Sequence, residues 1–136
     1  DKEKFNNNFF DEKIFMYLEN DDLCLRVKKS KEKIFVYANS LISHLGGKTV
    51  DKKYYNEIEF SRNWHWNWSK FYFRKKHYGF FLAFAPGLLT LFKAVFKSLY
   101  FFIVNNKFKS KIHYCRVSGF INAFLNKKSW FRPRLD

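Results

Sequence analysis

Residues 9–48 read FFDEKIFMYLENDDLCLRVKKSKEKIFVYANSLISHLGGK, and the fold class turns on how this stretch is parsed. Glu19, Asp21 and Asp22 flank Asn20 just before Leu23, Cys24, Leu25 and Val27, and Arg26, Lys28, Lys29 and Lys31 follow. Acid groups first and basic groups last oppose the partial charges at the ends of a helix. Asn20 is also a favourable N-cap, so a helix is predicted over 20–30. IFVYA at 34–38 is a continuous β-branched and aromatic run, the pattern of a strand buried on both faces. LISHL at 41–45 reads as a second short strand, ended by Gly46 and Gly47. A helix followed by strands of the buried type gives an α/β expectation for this part of the chain.

The same stretch holds the candidate chemistry. Carboxylates at a loop-to-helix junction can take a proton from an incoming hydroxyl or bind a divalent cation. A histidine followed by flexible backbone, as at His44, can reach a metal or a diphosphate. Each feature also has a plainer reading. Acidic residues at a helix start are ordinarily capping groups, a single histidine at a strand end is ordinarily structural, and Arg26 is ordinarily the partner of a nearby carboxylate.

Outward from this block the composition changes near residue 56. Residues 1–60 hold eleven Lys/Arg against eleven Asp/Glu, whereas residues 61–136 hold fifteen Lys/Arg against Asp136 alone. The net charge of +14 therefore sits in the second half. A basic, aromatic-rich segment seeks a polyanion, either nucleic acid or an anionic lipid surface. With nineteen Phe, eight Tyr and four Trp the chain can build a core of one domain. Cys24 and Cys115 lie in apolar surroundings without metal-like spacing, so both are expected to be buried, reduced thiols of a cytosolic compartment. The opening DKEKFNNNFF is not a signal peptide and reads as a cut through a longer protein. Asn67-Trp68-Ser69 matches a glycosylation sequon and is read as chance.

The second half reads as helices. Phe60, Trp64, Trp68, Phe71 and Tyr72 recur at helical spacing. A second helical stretch is expected over about 78–104. A third, over about 110–126, carries Val117, Phe120, Ile121, Phe124 and Leu125 on one side, and SWFRPR closes the chain as an extended tail. Residues 78–92 are fifteen positions without a charge, short of the roughly 20 that span a bilayer. Extension to 104 brings in Lys93 and Lys97, each costing about 2.5–3.5 kcal/mol at a membrane centre. Pro86-Gly87 is expected to break or kink the helix. The expectation is one or two helices lying in the interface, with Lys93 and Lys97, one turn apart, reaching towards head groups at the membrane surface.

Order and spacing add a resemblance. Phe10-Asp11-Glu12, Phe15, Tyr17, Glu19, Asp22-Leu23-Cys24 and Arg26, followed by His44, Gly46 and Gly47, resemble the second half of the catalytic domain of family 2 glycosyltransferases. These are inverting enzymes with a GT-A fold. WHWNWSKFYFRKKHYG at 64–79 and SGFINAFLNKKSWFRP at 118–133 are similar to the carboxy-terminal helices of bacterial, rhamnosyltransferase-like members. The resemblance implies an α/β fold: 1–56 as the carboxy-terminal part of a GT-A (nucleotide-diphospho-sugar transferase) domain, then 57–136 as a basic, aromatic, membrane-associated helical extension.

It also implies direct displacement at an anomeric carbon, with a carboxylate base and a nucleoside diphosphate leaving, stabilised by Mg²⁺ or Mn²⁺. The family's usual base position is Asn20 here, which leaves Glu19, Asp21 or Asp22, with Asp22 and Glu19 favoured. His44 becomes the metal or diphosphate contact, and Arg26 orients the acidic cluster or the substrate diphosphate. The main metal ligands and nucleotide-binding strands belong upstream of this region. Partners would be a nucleotide-sugar donor, a glycan or lipid-linked acceptor of cell-envelope polysaccharide synthesis, and a membrane surface rather than nucleic acid. The place is the cytoplasmic face of the inner (plasma) membrane, peripheral or monotopic. Two other readings stand beside it: a non-catalytic membrane-anchoring or assembly domain, and a nucleic-acid-binding module.

Overall fold

The computed structural model describes residues 9–43 and 51–134. Four α-helices follow in order: α1 (Glu19–Lys29), α2 (Tyr55–Tyr78), α3 (Phe80–Ile103) and α4 (Lys107–Phe124), with a short 3₁₀ turn at Lys52–Tyr54 before α2. Helices α2, α3 and α4 pack on one another as a three-helix bundle. The sequence dictates this packing through α2. Phe60, Trp64, Trp68 and Phe71 are three or four residues apart, share one face and are buried. They meet Ala83 from α3 and Cys115, Phe120 and Ala123 from α4.

Glycine sets two joints of this bundle. A Cβ at Gly119 would stand within 2.2 Å of the Trp64 carbonyl oxygen, so α4 crosses α2 closely only because that position has no side chain. Gly79, at φ 90°, closes α2 and lets α3 begin at the next residue. Helix α3 turns into α4 through Asn105 and Asn106. Asn106 caps α4, its side chain accepting from the Lys109 N–H at 3.1 Å. Ser98 and Ser110 lace the two helices together by donating to each other's carbonyl oxygens at 3.2 and 3.0 Å. The tail after α4 returns along α2, where Trp68 Nε1 donates to the Lys127 carbonyl at 3.0 Å.

This architecture overturns the α/β expectation. Among the described residues there is no strand, and the fold is a helical bundle rather than a portion of a GT-A sheet. The stretch 34–38 is irregular and open, with Val36 92% and Phe35 84% exposed, and Leu41 is 96% exposed. A run of this kind becomes a buried strand only when neighbours pair with both edges and layers cover both faces. The described residues supply neither, so the apolar pattern has nothing to pair with. The second expected strand falls partly on described residues 41–43, which are irregular; its remainder, with His44, lies outside the described residues.

The helical expectations change in detail. Helix α1 starts at Glu19 with Leu18 at its N-cap, and no side chain caps it, so Asn20 is inside the helix. Pro86 does not break α3, which continues through it to Ile103 as a single 24-residue helix. The missing N–H leaves one ladder bond unmade near the helix start, while packing against α2 and α4 holds both sides. On α4, Ile121 and Leu125 are exposed; the buried side is His113, Cys115, Gly119, Phe120 and Ala123. Cys115 is buried, its thiol pushed up by burial to about 11, whereas Cys24 is exposed, contrary to expectation. The sequon is internal: Asn67 and Ser69 are buried, and Ser69 Oγ donates to the Met16 carbonyl at 2.7 Å.

Candidate functional site

The acidic turn is assembled from two distant parts of the chain. Tyr17 and Leu18 adopt left-handed backbone, φ 69° and 66°, which turns the chain sharply into α1. Asp22, in the first turn of α1, is fully buried against the last turn of α2. Its Oδ2 accepts from Arg26 Nε at 2.9 Å. Its Oδ1 lies 2.6 Å from Lys76 Nζ and 2.7 Å from His77 Nε2. Lys76 also reaches Asp11 Oδ2 at 2.7 Å, and Tyr72 donates its hydroxyl to the same oxygen at 2.8 Å. Lys29 Nζ stands 3.2 Å from His77 Nδ1, so that nitrogen accepts and Nε2 carries the proton given to Asp22. Arg26 extends the network to the Phe9 carbonyl.

Electrostatics follow from this crowd of cations. Burial pushes the Asp22 carboxyl up, but hydrogen bonds from Lys76, His77 and Arg26 outweigh it and hold the group below the usual carboxylate range. Asp11 behaves likewise: burial raises it, and Lys76, the Lys13 N–H and the Tyr72 hydroxyl bring it lower. A carboxylate so stabilised is a weak base and has little left to offer a metal. Asp21 is exposed. Glu19 is half-buried, and its Oε2 is shut away from solvent with no hydrogen-bond partner. Glu19 and Asp21 thus both keep carboxylate oxygens uncommitted to a protein partner, Asp21's open to solvent and Glu19's Oε2 closed off from it, while Asp22 is the anion of a structural network.

Arg26 stands beside the cluster as the ion-pair partner of Asp22, one turn along α1. His44 lies outside the described residues. Among the described residues no three His, Cys, Asp or Glu side chains converge to hold a metal. The acidic turn, with Asp22 enclosed by three donors, does not fit a divalent cation.

Lys93 and Lys97 are exposed positions in the second half of α3. An exposed apolar stripe runs along the helix through Leu82, Leu89, Phe92, Phe96, Leu99 and Ile103, each between 59% and 80% exposed. Beside that stripe the two lysines help line a cavity of about 270 Å³ between α2, α3 and α4, together with Lys70, Thr90, His113 and Arg116. The sequence reading missed Lys76 and His77 as partners of Asp22, and Lys70, His113 and Arg116 as neighbours of Lys93 and Lys97. Its only signals were the KKH run closing α2 and the surplus of positive charge. No family model, curated protein or solved structure matches this chain.

Proposed function

We propose that this chain is the membrane-associated part of a sugar-nucleotide-dependent glycosyltransferase that acts on a lipid-linked or cell-envelope glycan. The observation that supports it is the joint between the acidic turn and the uncovered helix. His77 grips Asp22 at 2.7 Å, and α3 begins three residues later at Phe80. Chemistry on α1 would therefore be tied to the start of a 24-residue apolar helix whose outer stripe is left bare. An acceptor hydroxyl carried on a lipid needs a base held at such a boundary.

Glu19 is the base on this reading, and Asp22 with Arg26, Lys76 and His77 holds the turn that carries it. A general base contributes about 10²–10⁴-fold. Glu19→Gln in the polypeptide that naturally carries this chain, assayed with uridine- and thymidine-diphosphate sugars, is expected to lose transfer by that factor with its melting temperature unchanged. On the same reading residues beyond these 136 hold the nucleotide, so the isolated chain gives no transfer. Activity from the isolated chain, or an undiminished rate in the Glu19 variant, removes this assignment.

A second reading is favoured by the burial of Asp22: a membrane-anchoring domain whose acidic turn is structural throughout. It expects transfer by the natural polypeptide to survive Glu19→Gln and to fall with Asp22→Ala only in proportion to lost folding.

A further inference from the structure

The geometry points to the cavity between α2, α3 and α4 as a binding site for the terminal phosphate or diphosphate of a membrane lipid. This inference rests on the membrane half of the function proposed above and is independent of the transfer chemistry. Lys70 comes from α2, Lys93 and Lys97 from α3, and Arg116 from α4, and no carboxylate lines the space they share. None of these four side chains pairs with an acid among the described residues. Like charges gathered from three helices without a counter-charge repel one another, and an anion relieves that repulsion.

Two details give the site its chemistry. Arg116 is oriented by donating Nε to Asn63 Oδ1 at 2.8 Å, which leaves its terminal nitrogens for the two-pronged contact that suits phosphate oxygens. His113 is buried, its ring stacked 5.6 Å from Phe101, and its Nδ1 has no hydrogen-bond partner although the residue lines the cavity.

The volume, about 270 Å³, is just below the roughly 300–1,000 Å³ of sites that enclose a whole small molecule. It suits a head group whose remainder lies elsewhere. That remainder has a place. Lys93 and Lys97 also border an open hollow formed with Phe92 and Phe96 on the bare stripe of α3. The phosphate would thus sit on one side of the two lysines and the hydrocarbon chain on the other. A terminal phosphate carries roughly −1.5 to −2 charges and three acceptor oxygens, a better match to four cations than the single charge of a phosphodiester.

The test uses the full 136-residue chain and vesicle flotation. Phosphatidylcholine vesicles are doped with either phosphatidic acid or phosphatidylglycerol at matched surface potential. Binding to the phosphatidic acid vesicles is expected to be about tenfold tighter. Arg116→Gln and Lys97→Gln should each erase that preference while leaving phosphatidylglycerol binding nearly unchanged, and Lys128→Gln, outside the cavity, should preserve it. Inorganic diphosphate added to the detergent-solubilised protein separates a lipid from a free ion. It should perturb the His113 ring resonances, yet bind at least about tenfold more weakly than phosphatidic acid because it has no chain to bury. Equal binding to the two vesicle types, or a preference surviving both cavity variants, overturns the site; diphosphate binding as tightly as the lipid overturns the lipid assignment. Failure here leaves the Glu19 assignment standing, because no sugar transfer is read.

Discussion

Asp22 is enclosed so completely that its removal is a folding question before it is a functional one. Loss of its carboxylate leaves Lys76, Arg26 and His77 without their common acceptor, and breaking a buried pair from one side costs about 3–5 kcal/mol. Lys76 keeps Asp11 and Arg26 keeps the Phe9 carbonyl, so Asp22→Ala should fall at the low end, about 3 kcal/mol by denaturant unfolding. An Asp22→Ala protein as stable as the parent would show that the network contributes little.

Protons probe the same scale. His65 is buried, bonded to the Phe131 carbonyl at 2.8 Å and to Ser129 Oγ at 2.9 Å, and burial holds its pKa below 6.5. As pH falls through about 6.5 the unfolded chain takes up a proton that the folded chain refuses, so stability drops from there downward. His113 has the same sign, from burial and the charges of Arg116 and Lys97. Asp11 and Asp22, held below 3.8, add a second loss only as pH falls further through their lowered values. The melting temperature should decline between about pH 7 and pH 5, less so in His65→Gln, and steeply below about pH 4 in both. A melting temperature flat down to pH 5 contradicts the buried-neutral description of these histidines. The charge order of α1 was legible in the sequence, since acid-first and base-last needs only neighbours. The identity of Asp22's partners was not, because Lys76 and His77 arrive from more than fifty residues away and obey no local spacing.

Among the elements, α3 carries the sharpest expectation. Leu82, Ala85, Leu89, Phe92, Phe96, Leu99 and Ile103 alternate steps of three and four residues and form one continuous uncovered face. Withdrawing a Phe side chain from water is worth about 1.5–3 kcal/mol. Phe92→Ala and Phe96→Ala should therefore each weaken vesicle partitioning by about tenfold or more without lowering thermal stability, since neither ring is in the core. Partitioning unaffected by both substitutions would remove the membrane role of this face. The helices themselves were legible because periodicity of 3.6 needs no knowledge of partners. The expected strand at 34–38 failed for the opposite reason: a run such as Ile34-Phe35-Val36-Tyr37 has no structure of its own until a sheet is there to receive it. Pro86 misled in the same way, since its local penalty is smaller than the packing that α3 gains along its length.

For the molecule as a whole, the tightest dependence is the crossing of α4 over α2. Gly119→Ala drives a methyl group into the Trp64 carbonyl, which cannot move without shifting the helix, and should cost about 1–3 kcal/mol by calorimetric or denaturant unfolding. A neutral outcome would mean the two helices can slide apart freely. The bundle also contains a long stretch of sequence, 61–135, without one carboxylate side chain. The cluster of Lys70, Lys93, Lys97 and Arg116 therefore has no possible neutralising neighbour from α3, α4 or most of α2. Ordinary proteins lose surface attractions when electrolyte is added; this one should be relieved by it, melting later as ionic strength climbs and later still with multivalent oxyanions than with chloride. Solution counter-ions become, in effect, part of its architecture, and a thoroughly desalted sample should be its loosest form.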